Sequence, residues 1–203
     1  MPDAQVLFWD VGGILLTNGW DRGSRRRAVE TFALEGDEFE TRHDLVNAAF
    51  ESGKLGLDDY LDRTVFYQSR AFTREAFKEF MFAQSAPYPD ALQIAERLSR
   101  AGRHLMATLN NESLELNLYR IDRFGLRRCF AVFLSSCFVG VRKPEEAIFR
   151  LALQVTQRAP EESVFIDDRA VNVECAHRLG MQAIHYRHAV QLQDELRALR
   201  IDV

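Results

Sequence analysis

Val6-Leu7-Phe8-Trp9-Asp10-Val11-Gly12-Gly13 is the stretch on which the fold turns. An unbroken apolar run reaches an aspartate, and two glycines follow almost at once. So short a continuous run suits a central parallel strand, buried on both faces. The glycines suit a tight turn leaving it. A carboxylate just past a buried strand is costly unless it is paired or metal-bound. Asp10 is therefore either a cap for a turn or a nucleophile or ligand on a rigid strand end.

Four later runs resemble the first: His104–Leu109, Ala131–Leu134, Val164–Ile166 and Ala183–Tyr186. Helical stretches separate them, with stop signals at Gly102, Gly125 and Gly180. This alternation predicts an α/β fold with a doubly wound parallel sheet. Between about Asn18 and Ala86 the alternation breaks, and the spacing predicts helices only: Ser24–Leu34, Glu38–Ser52, Leu57–Ser69 and Arg74–Gln84. Pro87 and Pro89 mark the return to the core. The chain thus divides into an α/β core, residues 1–17 and 87–203, and an inserted helical cap, residues 18–86. Arg25-Arg26-Arg27 is read as the solvated face of a helix rather than as a phosphate patch.

The length of 203 residues suits one such domain with a small insertion. A net charge of −4 gives no global field for nucleic acid or an anionic membrane, so neither is expected as a partner. Phosphate chemistry then has to use local positive charge or a metal. Cys129, Cys137 and Cys175 lack metal-ligand spacing and fit a reduced, cytoplasmic setting. No window approaches the roughly 20 apolar residues of a membrane span, and Met1 to Trp9 carries no signal pattern, so a soluble, unprocessed chain is expected. The apolar cap helices could also support a homodimer. The histidines (His43, His104, His177, His185, His188) show no paired spacing and are read as surface or partly packed residues.

Ligands bind open parallel sheets outside the carboxyl ends of the strands. Polar residues at those ends should therefore converge. After the second run stand Asn110 and Asn111, which are ordinary turn residues or amides able to bind an oxyanion. Val141-Arg142-Lys143-Pro144 leads into a predicted helix, Glu145–Gln157, with Pro144 at its first position. A lysine there opposes the helix dipole, which suggests an anion nearby. Val164-Phe165-Ile166-Asp167-Asp168-Arg169, with Asn172 four residues after Asp168, is the strongest local signal. Adjacent carboxylates at a buried strand end repel each other unless a cation relieves them. Together with Asp10 they offer hard oxygen ligands, which select Mg²⁺ over a soft metal.

In order and spacing, these pieces resemble the haloacid dehalogenase (HAD) superfamily over nearly the whole chain, in its subfamily with a small helical cap. The likeness extends to glucose-1-phosphate phosphatases and the N-terminal phosphatase domain of soluble epoxide hydrolases. It implies a HAD-like Rossmannoid core and a phosphatase of small phosphorylated metabolites. Asp10 would attack phosphorus and form an aspartyl-phosphate. Mg²⁺ would be held by Asp10, the Gly12 main-chain carbonyl and Asp168. Lys143 would pair with Asp10 and the phosphoryl oxygens, and Asn110 would contact the transferring group. Asp167 would support the site from behind, with Asn172 fixing its loop. The cap would select the leaving group.

The chain departs from the pattern in two places. Position 12 holds Gly where such phosphatases carry a second Asp, so the metal-binding carbonyl survives but the general acid/base does not. Leu109 stands where a Ser or Thr is expected, and Thr108, one residue earlier, should point to the opposite face of the strand. Two rival readings follow. One is a metal-independent 2-haloacid dehalogenase, against which the paired Asp167 and Asp168 argue. The other is a weakened binding or regulatory protein, against which the retention of Asp10, Lys143 and Asp168 argues. Loss of a general acid typically costs about 10²–10⁴-fold in rate. The turnover rate should therefore fall steeply as leaving-group pKa rises across a series of aryl and alkyl phosphates; a flat dependence would sink this expectation.

Overall fold

The computed structural model describes residues 4–203. Residues 1–3, which the sequence reading placed at the start of the core, lie outside the described residues. The chain opens with β1 (Val6–Trp9), followed by α1 (Arg22–Phe32), α2 (Gly36–Glu51), α3 (Leu57–Thr64) and α4 (Arg74–Ala83). Then come α5 (Pro89–Ala101), β2 (Leu105–Asn110), α6 (Leu114–Arg123), β3 (Val132–Ser135), the short α7 (Ser136–Val139) and α8 (Glu146–Thr156). The chain closes with β4 (Ser163–Asp167), α9 (Ala170–Arg178), β5 (Gln182–His185) and α10 (Ala189–Ala198).

The five strands form one sheet in the order β3-β2-β1-β4-β5, and every pairing is parallel. β1 lies at the centre, and all four of its side chains are fully buried. Leu7 and Trp9 pack into one layer with Ile94 and Leu98 of α5 and Leu192 of α10. Val6 and Phe8 pack into the other, against Ile148 and Phe149 of α8 and Ala176 of α9. This alternation is why the run is continuously apolar: both faces of the strand are covered. The chain moves from β1 outward to β3, then crosses back to β4 on the other side of β1. That reversal opens a crevice at the carboxyl ends of β1 and β4, where Asp10 and Asp167 emerge.

Element ends differ from the sequence reading at instructive places. β2 runs through Asn110, which pairs in register with Ser135, so Asn110 is a strand residue rather than a turn. α3 ends at Thr64, not Ser69; the Arg70 side chain donates to Val65 O at 2.8 Å and draws the chain out of the helix. Pro144 is not at the first turn of α8. The N-cap is Glu145, and Lys143 lies in a turn closed by the Glu145 N to Arg142 O hydrogen bond of 2.9 Å. Lys143 thus stands ahead of the helix, as the sequence reading had it, and the anions beside it are Asp10 and Asp167.

Helices α1–α4 bury an apolar cluster of their own, including Trp20, Phe39, Phe50, Tyr60, Phe77 and Met81, which α6 joins through Leu116. Phe50 stacks on Tyr60 with ring centroids 4.1 Å apart. A polar chain threads this cluster: Trp20 Nε1 donates to Tyr60 Oη at 2.8 Å, and Tyr60 Oη meets His43 Nδ1 at 2.9 Å. Burial, helped by the Arg25 charge, pushes the His43 imidazole down to about 4, so it is neutral at pH 7. His43 is thus a satisfied interior residue rather than a surface one. Arg25 is likewise no solvated residue. It is buried, forks onto Glu40 and donates to Trp20 O at 2.9 Å. Tyr60→Phe would leave both Trp20 Nε1 and His43 Nδ1 buried without a partner, and should destabilise the protein by about 1–3 kcal/mol. Urea denaturation with an unchanged m-value would measure it, and a loss below a few tenths of a kcal/mol would contradict the role given to this chain.

Candidate active site

Asp10 begins where β1 ends. Its backbone N–H donates to Ile166 O of β4 at 2.9 Å, which sets it beside Asp167. Its Oδ1 accepts from Val11 N at 2.7 Å, and its Oδ2 pairs with Lys143 Nζ at 3.1 Å. The same ammonium reaches Asp167 Oδ2 at 2.5 Å. Asp167 is further held by Asn172 Nδ2 at 3.0 Å and by the backbone N–H of Arg169 at 2.8 Å. Asp168 lies against the turn after β1: a Cβ on Gly13 would stand 2.2 Å from its Oδ2, and Gly13 has φ +76°. Only glycine meets both requirements. One oxygen each from Asp10, Asp167 and Asp168 falls within 4.8 Å of the others.

The site is short of positive charge. Burial pushes the Asp10 carboxyl up to about 7; Lys143 opposes this, while Asp167 and Asp168 add to it. Burial, then Asp167, raises Asp168 as well. Burial also works against the Lys143 charge, but Asp10 and Asp167 together outweigh it and hold the ammonium above its ordinary range. Among the described residues, Lys143 alone thus makes direct ion pairs within the triad, to Asp10 and Asp167. Hard oxygen donors with uncompensated negative charge suit a hard divalent cation.

Lys143 owes its position to a residue to which the sequence reading gave no particular role. The Asn111 side chain clamps the Lys143 backbone from both sides, accepting from its N–H at 2.9 Å and donating to its carbonyl at 2.8 Å. Asn111 lines the cavity above Asp10, whereas Asn110 and Thr108 do not. Both ends of the Asn110 amide are spent, Nδ2 on Asn117 and Oδ1 on Ser135 Oγ. The structure thus gives no support to a substrate contact by Asn110. Thr108 Oγ1 is fully buried with no partner, and Leu109 fills the layer against α8 and α9. Adjacent asparagines at a strand end look alike in sequence; only the strand's true length separates the buried one from the one at the cavity.

The cavity measures about 80 Å³. From the cap it receives Asn18, Trp20, Asp21, Asn47, Phe50 and Glu51. From the core side come Asn111, Glu112, Arg120, Lys143, Arg169 and Asn172. A Cβ on Gly12 would stand 2.8 Å from Asn18 Oδ1, so the amide of Asn18 fills the space a side chain at position 12 would need. Ser136 Oγ donates to Glu51 O at 2.6 Å and Arg142 Nη1 pairs with Glu51 Oε2 at 2.9 Å, which docks the end of α2 onto the core.

A doubly wound sheet with a lysine-bridged aspartate cluster at its switch point and a set of inserted helices, α1–α4, beside it fits an α/β hydrolase, and the comparisons agree. Residues 4–180 match the haloacid dehalogenase-like hydrolases, and the chain belongs to that family. It is 29% identical over 164 residues to flavin mononucleotide hydrolase 1 of Arabidopsis thaliana, covering 81% of this chain and 66% of the relative. It is 31% identical over 125 residues to bifunctional epoxide hydrolase 2 of Rattus norvegicus, covering 60% of this chain and 22% of that one. The chain thus spans just under two thirds of the first relative's length and about a fifth of the second's. The HAD family enzyme BT-2542 of Bacteroides thetaiotaomicron superposes with a TM-score of 0.83 at 18% identity, covering 97% of this chain and 100% of that one. Among the described residues, no helix is long and apolar enough to cross a membrane.

The charge shortage has a consequence for stability. Between pH 4 and pH 7 the folded protein holds a proton on Asp10 that the unfolded chain releases, so stability falls as pH rises through this window. Asp10→Asn removes that loss while Asp167 keeps Lys143 paired. In a chelator, the variant should therefore melt above wild type at pH 8, with the gap closing towards pH 4. A variant that melts lower at pH 8 would contradict the charge balance described.

Proposed function

We propose that this hydrolase is an Mg²⁺-dependent phosphatase of small phosphorylated metabolites, working through an aspartyl-phosphate on Asp10. The convergence of Asp10, Asp167 and Asp168 around Lys143 is the observation that carries this reading. One relative, from Methanopyrus kandleri, is a glyceraldehyde 3-phosphate phosphatase, and BT-2542 is also known in complex with magnesium and inorganic phosphate. Asp10 and Asp168, with the Gly12 carbonyl, would hold the ion, which would neutralise phosphate charge.

The chain's own residues supply the rest. Val11 N fixes one oxygen of Asp10 and Lys143 the other, so the carboxylate is oriented before substrate arrives. An Asp10 oxygen attacks phosphorus, and the bond from phosphorus to the leaving oxygen breaks. Lys143 donates to the phosphoryl oxygens as their charge builds. The leaving oxygen departs as an oxyanion and takes its proton from solvent; water then attacks phosphorus, the bond from phosphorus to the Asp10 oxygen breaks, and the water's proton passes to solvent as phosphate leaves and the Asp10 carboxylate is restored. Asp167 holds the Lys143 ammonium from behind, and Asn172 holds Asp167. Asn111 fixes the backbone of Lys143. At position 12 there is no acid, and the Asn18 amide that fills the space has no titratable proton to give the leaving group.

Phosphate release from p-nitrophenyl phosphate should require Mg²⁺ and fall at least about 10³-fold in Asp10→Asn, as expected when a nucleophile and its intermediate are lost. Activity surviving that substitution would remove Asp10 from the chemistry. Halide release from a 2-haloacid without metal would favour the dehalogenase reading instead, which the aspartate cluster gives no reason to expect.

A further inference from the structure

The cavity wall away from Lys143 has a consistent chemistry. Both charged side chains that the cap contributes, Asp21 and Glu51, are acidic. Glu112 joins them from the core side, buried, and its carboxyl is raised by burial and then held down by Arg120. Glu51 adds to that rise, so Glu51 and Glu112 sense each other's charge. The cations nearby are committed. Arg120 Nη1 pairs with Glu112 at 2.6 Å and Nη2 donates to Thr17 O at 2.7 Å. Arg142 pairs with Glu51 but does not line the cavity. Arg169 lines it beside Asp168, at the end where the phosphoryl group would sit. Among the described residues, the side-chain amides of Asn18 and Asn47 make no hydrogen bond within the protein.

We infer that this wall selects against a carboxylate on the leaving group and favours a compact, hydroxylated and uncharged one. The inference rests on the phosphatase reading for the site and adds the substrate class. A second anion on the leaving group would face Asp21, Glu51 and Glu112, and among the described residues the arginines on that side, Arg120 and Arg142, are already paired with Glu112 and Glu51. Like charges placed together in a confined site are a strong means of rejecting a ligand. Hydroxyl groups meet the opposite situation: carboxylate oxygens accept from them, and the amides of Asn18 and Asn47 both donate and accept. The cavity of about 80 Å³ limits the ester to a small one when the cap is docked as seen here.

Glycerol 3-phosphate and 3-phosphoglycerate test this directly, because they differ by a hydroxymethyl group against a carboxylate. Binding of each to Mg²⁺-loaded Asp10→Asn protein, measured by calorimetry, reads the wall without needing turnover. Values of kcat/KM for wild type read it in catalysis, with p-nitrophenyl phosphate as the separate check on the chemistry. Glycerol 3-phosphate should be preferred at least about tenfold in both measurements, and less so at high salt. Adding Glu51→Gln or Asp21→Asn should narrow the preference several-fold by improving 3-phosphoglycerate. Asparagine at position 21 keeps the N-cap of α1, so that variant should fold even if the other does not. Equal binding, a preference for 3-phosphoglycerate, or a preference unmoved by both substitutions would overturn the inference. If aryl phosphate were not hydrolysed while the binding preference held, the phosphatase reading would fall and the charge selectivity would stand.

Discussion

Three carboxylates crowd together at the carboxyl end of a buried sheet, and Lys143 alone bridges two of them. Burial makes each unneutralised charge expensive, and neighbouring carboxylates add to the expense. Much of the structure around the site follows from this shortage. Lys143 must be buried, so its backbone is clamped by Asn111. Asp167 is buried beside it, and Asn172 and the Arg169 N–H hold its oxygens. Gly13 must be a glycine because Asp168 lies where its side chain would be. The same crowding that weakens the folded state makes the cluster a place suited to a hard cation.

The fold was legible in the sequence because its strands are covered on both faces. Val6–Trp9 had to be continuously apolar to serve two layers at once, and the other runs behaved alike. The helical insertion was legible through its spacing. Strand and helix ends were less so, for tertiary reasons. Asn110 stays in β2 because Ser135 and Asn117 satisfy its amide, and α3 stops early because Arg70 reaches back to Val65 O. Ser135 is far in sequence from the residue it holds, and Asn117 and Arg70, though nearer, act through side-chain reach that no propensity records.

The carboxylate cluster of the candidate site was legible where strand ends carry acids, at Asp10, Asp167 and Asp168, which the fold brings within 4.8 Å of one another. Lys143 was legible through the anion expected beside it, and that anion is the pair Asp10 and Asp167. Asn111 escaped because its role is to a backbone, which leaves no pattern of residue types. The cap wall escaped for a similar reason. Asn18, Asp21, Asn47 and Glu51 come from different turns and helix faces, and only the docked fold brings them to one cavity. Likewise the absence of a side chain at Gly12 gained its meaning only with Asn18 in place.

Chemical trapping offers the most direct test of the central claim, that Asp10 is the nucleophile. Enzyme quenched during turnover with Mg²⁺ and an aryl phosphate, then reduced with borohydride, would have any acyl phosphate converted to an alcohol. Peptide mass spectrometry should find that conversion at position 10, and only when substrate and metal are both present. Conversion at Asp167 or Asp168 in place of Asp10, or none while phosphate is released under conditions that trap acyl phosphates, would contradict the account.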